Sequence, residues 1–215
     1  KWLDTIPGIA GHLMSASVMS APAALVIAKI IYPETNKVSS NEVELDSENP
    51  SVNAMDALGN GTIIGLKLAV NVGAMLISFI SIIALLNYFL GMVGVSIESV
   101  LGTIFKPLAW TMGIPWNEST MVGSLMGKKI VFTEFVAFAD LRTLIANNEI
   151  SDRAAIITSY ALCGFANFGS IGIQLGGIGG IAPNRRKDIA QLIFKAMIGG
   201  ALASWLTATL AGILI

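Results

Sequence analysis

Three polar residues lie in otherwise apolar segments, and their side chains could together bind a polar ligand. Asn167 and Ser170 lie in the glycine-rich run 161–173, and Glu134 lies in the apolar run 131–138. The i, i+3 spacing of Asn167 and Ser170 would place both on one helix face. An ionised Glu accepts hydrogen bonds, an Asn both donates and accepts, and a Ser adds one hydroxyl. This set of groups fits a sugar diol better than an apolar molecule or a bare ion.

Both segments have a second interpretation. Glycines let membrane helices pack closely, in which case Asn167 and Ser170 only hold helices together. Glycines also permit unwinding, which turns side chains and freed carbonyls toward a ligand, as in the broken helices of transporters. We favour unwinding, because packing leaves Asn167 without a partner. For Glu134 two interpretations stay open: a functional carboxylate at membrane depth, or a hairpin-loop residue that meets water or pairs with Lys128 or Lys129.

The composition predicts a membrane protein. Of the 215 residues, 54% are hydrophobic and 13% are charged, whereas soluble domains carry about 25% charged residues. A net charge of -1 provides no basic face for nucleic acid. One cysteine and one histidine are too few for an internal disulfide or an ordinary zinc site. No nucleophile lies beside a plausible base, so we predict no enzyme and no catalytic residues. We also predict no metal site and no cofactor.

Uncharged stretches and the polar segments between them predict an all-α membrane fold, because about 20 apolar residues cross the hydrocarbon core. It combines transmembrane helices with an interfacial helix and a re-entrant helical hairpin, and one transmembrane helix is unwound at mid-membrane. The predicted order is a transmembrane helix at 1–34, a polar cytoplasmic loop at 35–61, a transmembrane helix at 62–95, an interfacial helix at 96–112, a re-entrant hairpin at 115–148, a broken transmembrane helix at 154–181 and a C-terminal transmembrane helix at 188–215.

Three runs carry a resemblance to a known family. They are SVMSAPAALVIAK at 17–29 followed by YPE at 32–34, GSLMGK at 123–128 leading to TEFVA at 133–137, and ALCGFANFGSIGI at 161–173. In these runs the sequence resembles the C-terminal half of the concentrative nucleoside transporter family, in the family's order and over nearly the whole chain. The resemblance implies ribose contacts by Glu134, Asn167 and Ser170, with Phe165 lining the pocket. Thr133 and Gly169 depart from the Asn and Ser that many members have there.

The resemblance also implies a function. We expect cation-coupled uptake of nucleosides by alternating access, with Na+ or H+ as the coupling ion, in a multi-pass protein of the bacterial inner (plasma) membrane. We expect a homotrimer in the lipid bilayer, with 62–95 as the scaffold helix. The chain begins at Lys1, and we expect the coupling-ion site and the base contacts to lie in an N-terminal half outside it. The alternatives are an intramembrane enzyme with Glu134 as general base, or a structural subunit.

Overall fold

The computed structural model describes residues 8–35 and 52–215, and the regular secondary structure in these ranges is helical. The described residues form eight α-helices and one short 3-10 turn, and they contain no strand: α1 Ile9–Ile31, α2 Ala54–Gly91, α3 Ile97–Thr111, α4 Trp116–Val131, α5 Glu134–Ala146, α6 Asp152–Leu162, α7 Phe168–Ile181, the turn Pro183–Arg185 and α8 Arg186–Leu214. The predicted all-helical class is therefore confirmed. Residues 1–7 of the predicted first helix and 36–51 of the predicted loop lie outside the described residues.

The predicted loop at 35–61 is too long at its C-terminal end. Helix α2 begins at Ala54 rather than at residue 62, because Asn53 caps it: the Asn53 side chain accepts a hydrogen bond of 2.9 Å from the backbone N–H of Asp56. Such a cap satisfies one of the free N–H groups at a helix start. The polar composition that predicts a loop here is therefore compatible with an exposed first turn of a helix.

Among the described residues, two helices are long and apolar enough to cross a membrane. They are α1 and α8, while the apolar stretch Ile80–Gly91 within α2 is shorter. The predicted span at 154–181 fails this criterion because it is divided into α6 and α7, of 11 and 14 residues. An unbroken helix of about 20 residues is what the hydrocarbon core requires.

Helices α4 and α5 form a hairpin that covers the region predicted at 115–148. Only Phe132 and Thr133 separate the two helices, and Lys128 on one arm forms an ion pair with Asp140 on the other. The first arm packs tightly on α3: a Cβ at Gly123 would lie 2.5 Å from the carbonyl oxygen of Gly102. Helix α3 and the hairpin therefore approach backbone to backbone. The position of the hairpin in a membrane stays a prediction.

Helix α3 occupies the region predicted as an interfacial helix at 96–112, and a polar corner joins it to α2. The Asn87 side chain donates to Oε1 of Glu98 at 2.8 Å and accepts from the N–H of Ile97 at 2.9 Å. Burial acts to raise the pKa of Glu98, but hydrogen bonds from Ser96, its own backbone and Asn87 outweigh it, so the pKa lies below its ordinary value. The corner therefore favours the ionised carboxylate.

Helix α6 forms the centre of the molecule. Its side chains are buried from Ala154 to Leu162 except for the half-buried Ile156, because α1, α4, α5 and α8 all pack against it. Arg153 at its start donates to the carbonyl oxygens of Gly113 and Gly212, at 3.3 and 2.6 Å. The N-terminal end of α6 is thereby bonded to the turn between α3 and α4 and to α8.

Candidate functional site

The site is organised by a break between α6 and α7 at residues 163–167. Gly164 within the break has φ of +138°, in the region that glycine adopts more readily than other residues. A Cβ at this position would lie 2.7 Å from Oγ of Ser204, so the close approach of this α8 side chain also favours a glycine. Residues 163–167 therefore separate α6 from α7, and their assignment as the unwound part of one transmembrane helix stays a prediction.

Asn167 and Ser170 form the N-terminal cap of α7. The Asn167 side chain accepts from the N–H of Ser170 at 2.7 Å, and the Ser170 hydroxyl accepts from the N–H of Asn167 at 3.2 Å. Ser170 also donates its hydroxyl proton to the Asn167 carbonyl at 2.6 Å. The argument that packing would leave Asn167 without a partner is therefore wrong, because the local fold satisfies its side-chain oxygen.

Glu134 is the first residue of α5, and it faces the break across the hairpin turn. Its side chain is buried, with 7% exposed, and its Oε2 accepts from Nδ2 of Asn167, which is 1% exposed, at 3.4 Å. Its Oε1 is buried without a hydrogen-bond partner among the described residues. The carboxylate neither meets water freely nor bonds to a lysine, since Lys128 pairs with Asp140 and Lys129 binds Ala161 and Ser204.

Phe165 and Ser170 border a cavity of about 220 Å³ between α1, the break, α7 and α8. The Phe165 ring is 64% exposed beside this cavity. Polar groups also line the cavity: Ser20, Gln174 and Ser204. Glu134 and Asn167 do not line it, so the four predicted site residues lie around the break but not in one closed pocket.

Sequence reasoning named Lys129 only as a possible partner of Glu134 and missed that its side chain is fully buried beside the break. The signal was present in the helical period: Val122, Leu125, Met126 and Lys129 follow the i, i+3, i+4, i+7 pattern of one face, and all four are buried. A lysine on the buried face of a helix is rare unless it is paired.

The arrangement can hold a neutral polar ligand with hydroxyl groups. The Glu134 carboxylate has a free acceptor, and the Asn167 amide has a second N–H to donate. Ser170 can only accept, because its proton is already donated to Asn167. The described residues contain no cluster of three or more His, Cys, Asp or Glu that could hold a metal ion.

Comparison with known proteins identifies related transporters. Residues 12–212 match the family model described as the C-terminus of Na+ dependent nucleoside transporters. An uncharacterized transporter, YutK of Bacillus subtilis, is 45% identical over 95% of this chain and 52% of its own length. The nucleoside permease NupC of Helicobacter pylori is 40% identical over 95% of this chain and 51% of its own length. The sodium/nucleoside cotransporter 1 of Rattus norvegicus is 39% identical over 95% of this chain and 35% of its own length.

Solved structures are similar as well. A variant of CNTnw in an outward-facing state matches with a TM-score of 0.82 and 38% identity, over 94% of this chain and 50% of that chain. CNTnw in an inward-facing substrate-bound state matches with a TM-score of 0.77 and 37% identity, over 99% of this chain and 52% of that chain. The chain spans about half the length of the bacterial relatives it matches. These relatives are named as transporters, not as enzymes, and the chain belongs to the Na+ dependent nucleoside transporter family, as its C-terminal part.

Proposed function

We propose that this chain is the ribose-binding half of a cation-coupled nucleoside transporter, a symporter driven by Na+ or H+. The nucleoside binds between the hairpin turn and the break, with Glu134, Asn167 and Ser170 at the ribose and Phe165 beside it. The hairpin is re-entrant, the break lies at mid-membrane, and alternating access carries the site across a bacterial inner membrane. The relatives named as a nucleoside permease and a sodium/nucleoside cotransporter support the substrate and the coupling.

The buried, unpartnered Oε1 of Glu134 is the observation that carries the proposal. A buried polar atom without a partner costs about 1–3 kcal/mol, and more when it is charged, so native proteins rarely retain one without a reason. A ribose diol supplies two O–H donors, which a carboxylate accepts in strong, charge-assisted bonds. The N-terminus of α7 adds a partial positive charge on the same side.

The test is nucleoside binding to the purified full-length transporter that contains this chain. We expect Glu134→Gln to weaken uridine binding by about tenfold or more, because charge-assisted hydrogen bonds are roughly twice as strong as neutral ones. The matched control is Glu149→Gln, an exposed carboxylate that accepts from nearby Asn147, and it should leave affinity unchanged. Calorimetry with uridine and its 2′,3′-dideoxy analogue measures both affinity and hydroxyl preference.

Two results would contradict the proposal. Unchanged uridine affinity in Glu134→Gln would make Glu134 a structural residue, and the absence of nucleoside binding by folded wild-type protein would favour a structural subunit. Uptake of radiolabelled uridine by cells expressing the full-length protein, with and without a Na+ gradient, tests the coupling separately.

A further inference from the structure

Lys129 is a buried cation that the proposed ribose contacts do not use. It lies in the last turn of α4, and its side chain is 0% exposed. Its Nζ donates to the carbonyl oxygen of Ala161 and to Oγ of Ser204, each at 3.0 Å. Ser204 in turn donates its proton to Gly200, so its oxygen is free to accept from Lys129. Removing an ammonium from water is costly unless such contacts compensate it.

The contact with Ala161 lies at the negative end of the broken helix. In an unbroken helix, the Ala161 carbonyl would accept from the N–H of Phe165, four residues later. Helix α6 ends at Leu162, and the carbonyl accepts from the Lys129 ammonium instead. A helix C-terminus carries a partial charge of roughly -0.5. The ammonium therefore both replaces a lost backbone hydrogen bond and neutralises this end of α6.

The hairpin provides a charge of the opposite sign to the other end of the break. Glu134 contacts Asn167 at the N-terminus of α7, which carries a partial positive charge. Lys129 and Glu134 lie on either side of the hairpin turn and attract each other electrostatically. The charge pattern of the hairpin thus matches the two helix ends of the break, cation to C-terminus and carboxylate to N-terminus.

In transporters with broken helices, coupling cations bind at half-helix C-terminal ends and at unwound carbonyls. We propose that the Lys129 ammonium is a tethered cation in this position, which holds the break in its ligand-binding geometry without any free ion. Lys129 is a positioning residue, acting on the ribose through Glu134 and the break. The inference rests on the proposed function, and it implies that the coupling ion binds in the part of the full-length transporter outside this chain.

The first test removes the charge and keeps the volume. In the full-length transporter, Lys129→Met is expected to weaken uridine binding by about tenfold or more, as when one partner of a buried charge pair is truncated. Lys128→Met is the matched control, because that lysine is partly exposed and pairs with Asp140 on the surface of the hairpin. Such a pair contributes little, so affinity should stay within about threefold of wild type. Wild-type affinity in Lys129→Met would overturn the proposal.

The second test restores the cation. Lys129→Ala deletes the equivalent of a propylammonium ion, and the vacated space would lie beside Gly164 and Ser204, which line the neighbouring cavity. Added propylammonium should therefore strengthen uridine binding by Lys129→Ala. It should not strengthen binding by the wild type or by Lys129→Met, because a side chain already fills the space in both. A purely structural lysine predicts no such rescue. Weak uridine binding by Lys129→Ala that propylammonium does not improve would also overturn the proposal.

A double variant serves as the control for loss of folding. If both single variants fail to fold, Lys129→Met combined with Glu134→Gln should restore folding, because it leaves no lone charge buried at the turn. A double variant that stays unfolded contradicts the proposal. A further measurement, which uses no nucleoside, is the thermal stability of Lys129→Ala with and without propylammonium. A wild-type protein without nucleoside affinity would thus refute the proposed function, while stabilisation of Lys129→Ala alone by propylammonium would still support the tethered cation.

Discussion

Asn167 contributes to both the local fold and the proposed site, and two substitutions separate these roles. Asn167→Ala removes the cap of α7, which costs about 1 kcal/mol, and it also removes the donor to Glu134. Asn167→Ser keeps a capping oxygen but has no amide donor. We expect both variants to weaken uridine binding by roughly five- to a hundredfold, while only Asn167→Ala lowers the ligand-free melting temperature clearly.

The measurement is calorimetry together with thermal unfolding of the full-length protein. An Asn167→Ser variant with wild-type affinity and an unchanged preference for ribonucleosides over dideoxynucleosides would show that Asn167 only caps α7.

Sequence reasoning selected Glu134 and Asn167 because polar groups in apolar segments are uncommon, and the structure brings these two into contact. It missed the burial of Lys129 because a lysine near a hairpin turn is usually solvated, although its place on the apolar face of α4 indicated that it is buried. The capping function of Asn167 and Ser170 could have been predicted, since an Asn before a helix with a polar residue three positions later is a common helix start.

At the scale of elements, the break between α6 and α7 depends on Gly164. We expect Gly164→Ala to destabilise the protein by about 1–3 kcal/mol, because Cβ strains a backbone at positive φ and would lie 2.7 Å from Oγ of Ser204. Gly176→Ala is the matched control in α7, where a Cβ would make an ordinary 3.8 Å contact with Asn71. Thermal unfolding and uridine affinity measure the effect. Equal thermal stability and equal uridine affinity of Gly164→Ala and Gly176→Ala would contradict this prediction.

The helices themselves were largely predictable, and their ends were not. Apolar periodicity and uncharged length predict α1, α3 and α8 well, because those patterns follow from burial of one face or of the whole helix. The start of α2 at Ala54 was missed, since a single Asn53 cap outweighs the polar composition of the residues after it. Close backbone packing of α3 on α4 through Gly102 and Gly123 also requires tertiary knowledge, because glycines alone do not identify their partner.

At the scale of the whole molecule, α2 differs from the other helices. Its 38 residues correspond to about 57 Å of helix, more than the ~30 Å hydrocarbon core. Within the described residues it packs mainly against α7 and the start of α3. Its exposed apolar side chains face away from the rest of the chain, among them Ile63, Val70, Ile77, Leu85 and Phe89. A long helix with so little intramolecular contact suits a scaffold on which a transport unit moves.

The family resemblance implies that the full-length protein is a homotrimer, and from the exposed apolar surface of α2 we predict that this helix lies at or near the subunit contacts. Single cysteines introduced at exposed positions along α2, such as Val70→Cys and Ile77→Cys, should cross-link subunits into dimers and trimers at one or more sites. Phe135→Cys, exposed on the hairpin, is the matched control and should not cross-link. The one native cysteine of this chain, Cys163, is half-buried beside the break, which limits its contribution to the background.

Native mass spectrometry in mild detergent should give three times the protomer mass. A monomer at every protein concentration, with no cross-linked species from any α2 position, would contradict the trimer and the assignment of α2 as its scaffold.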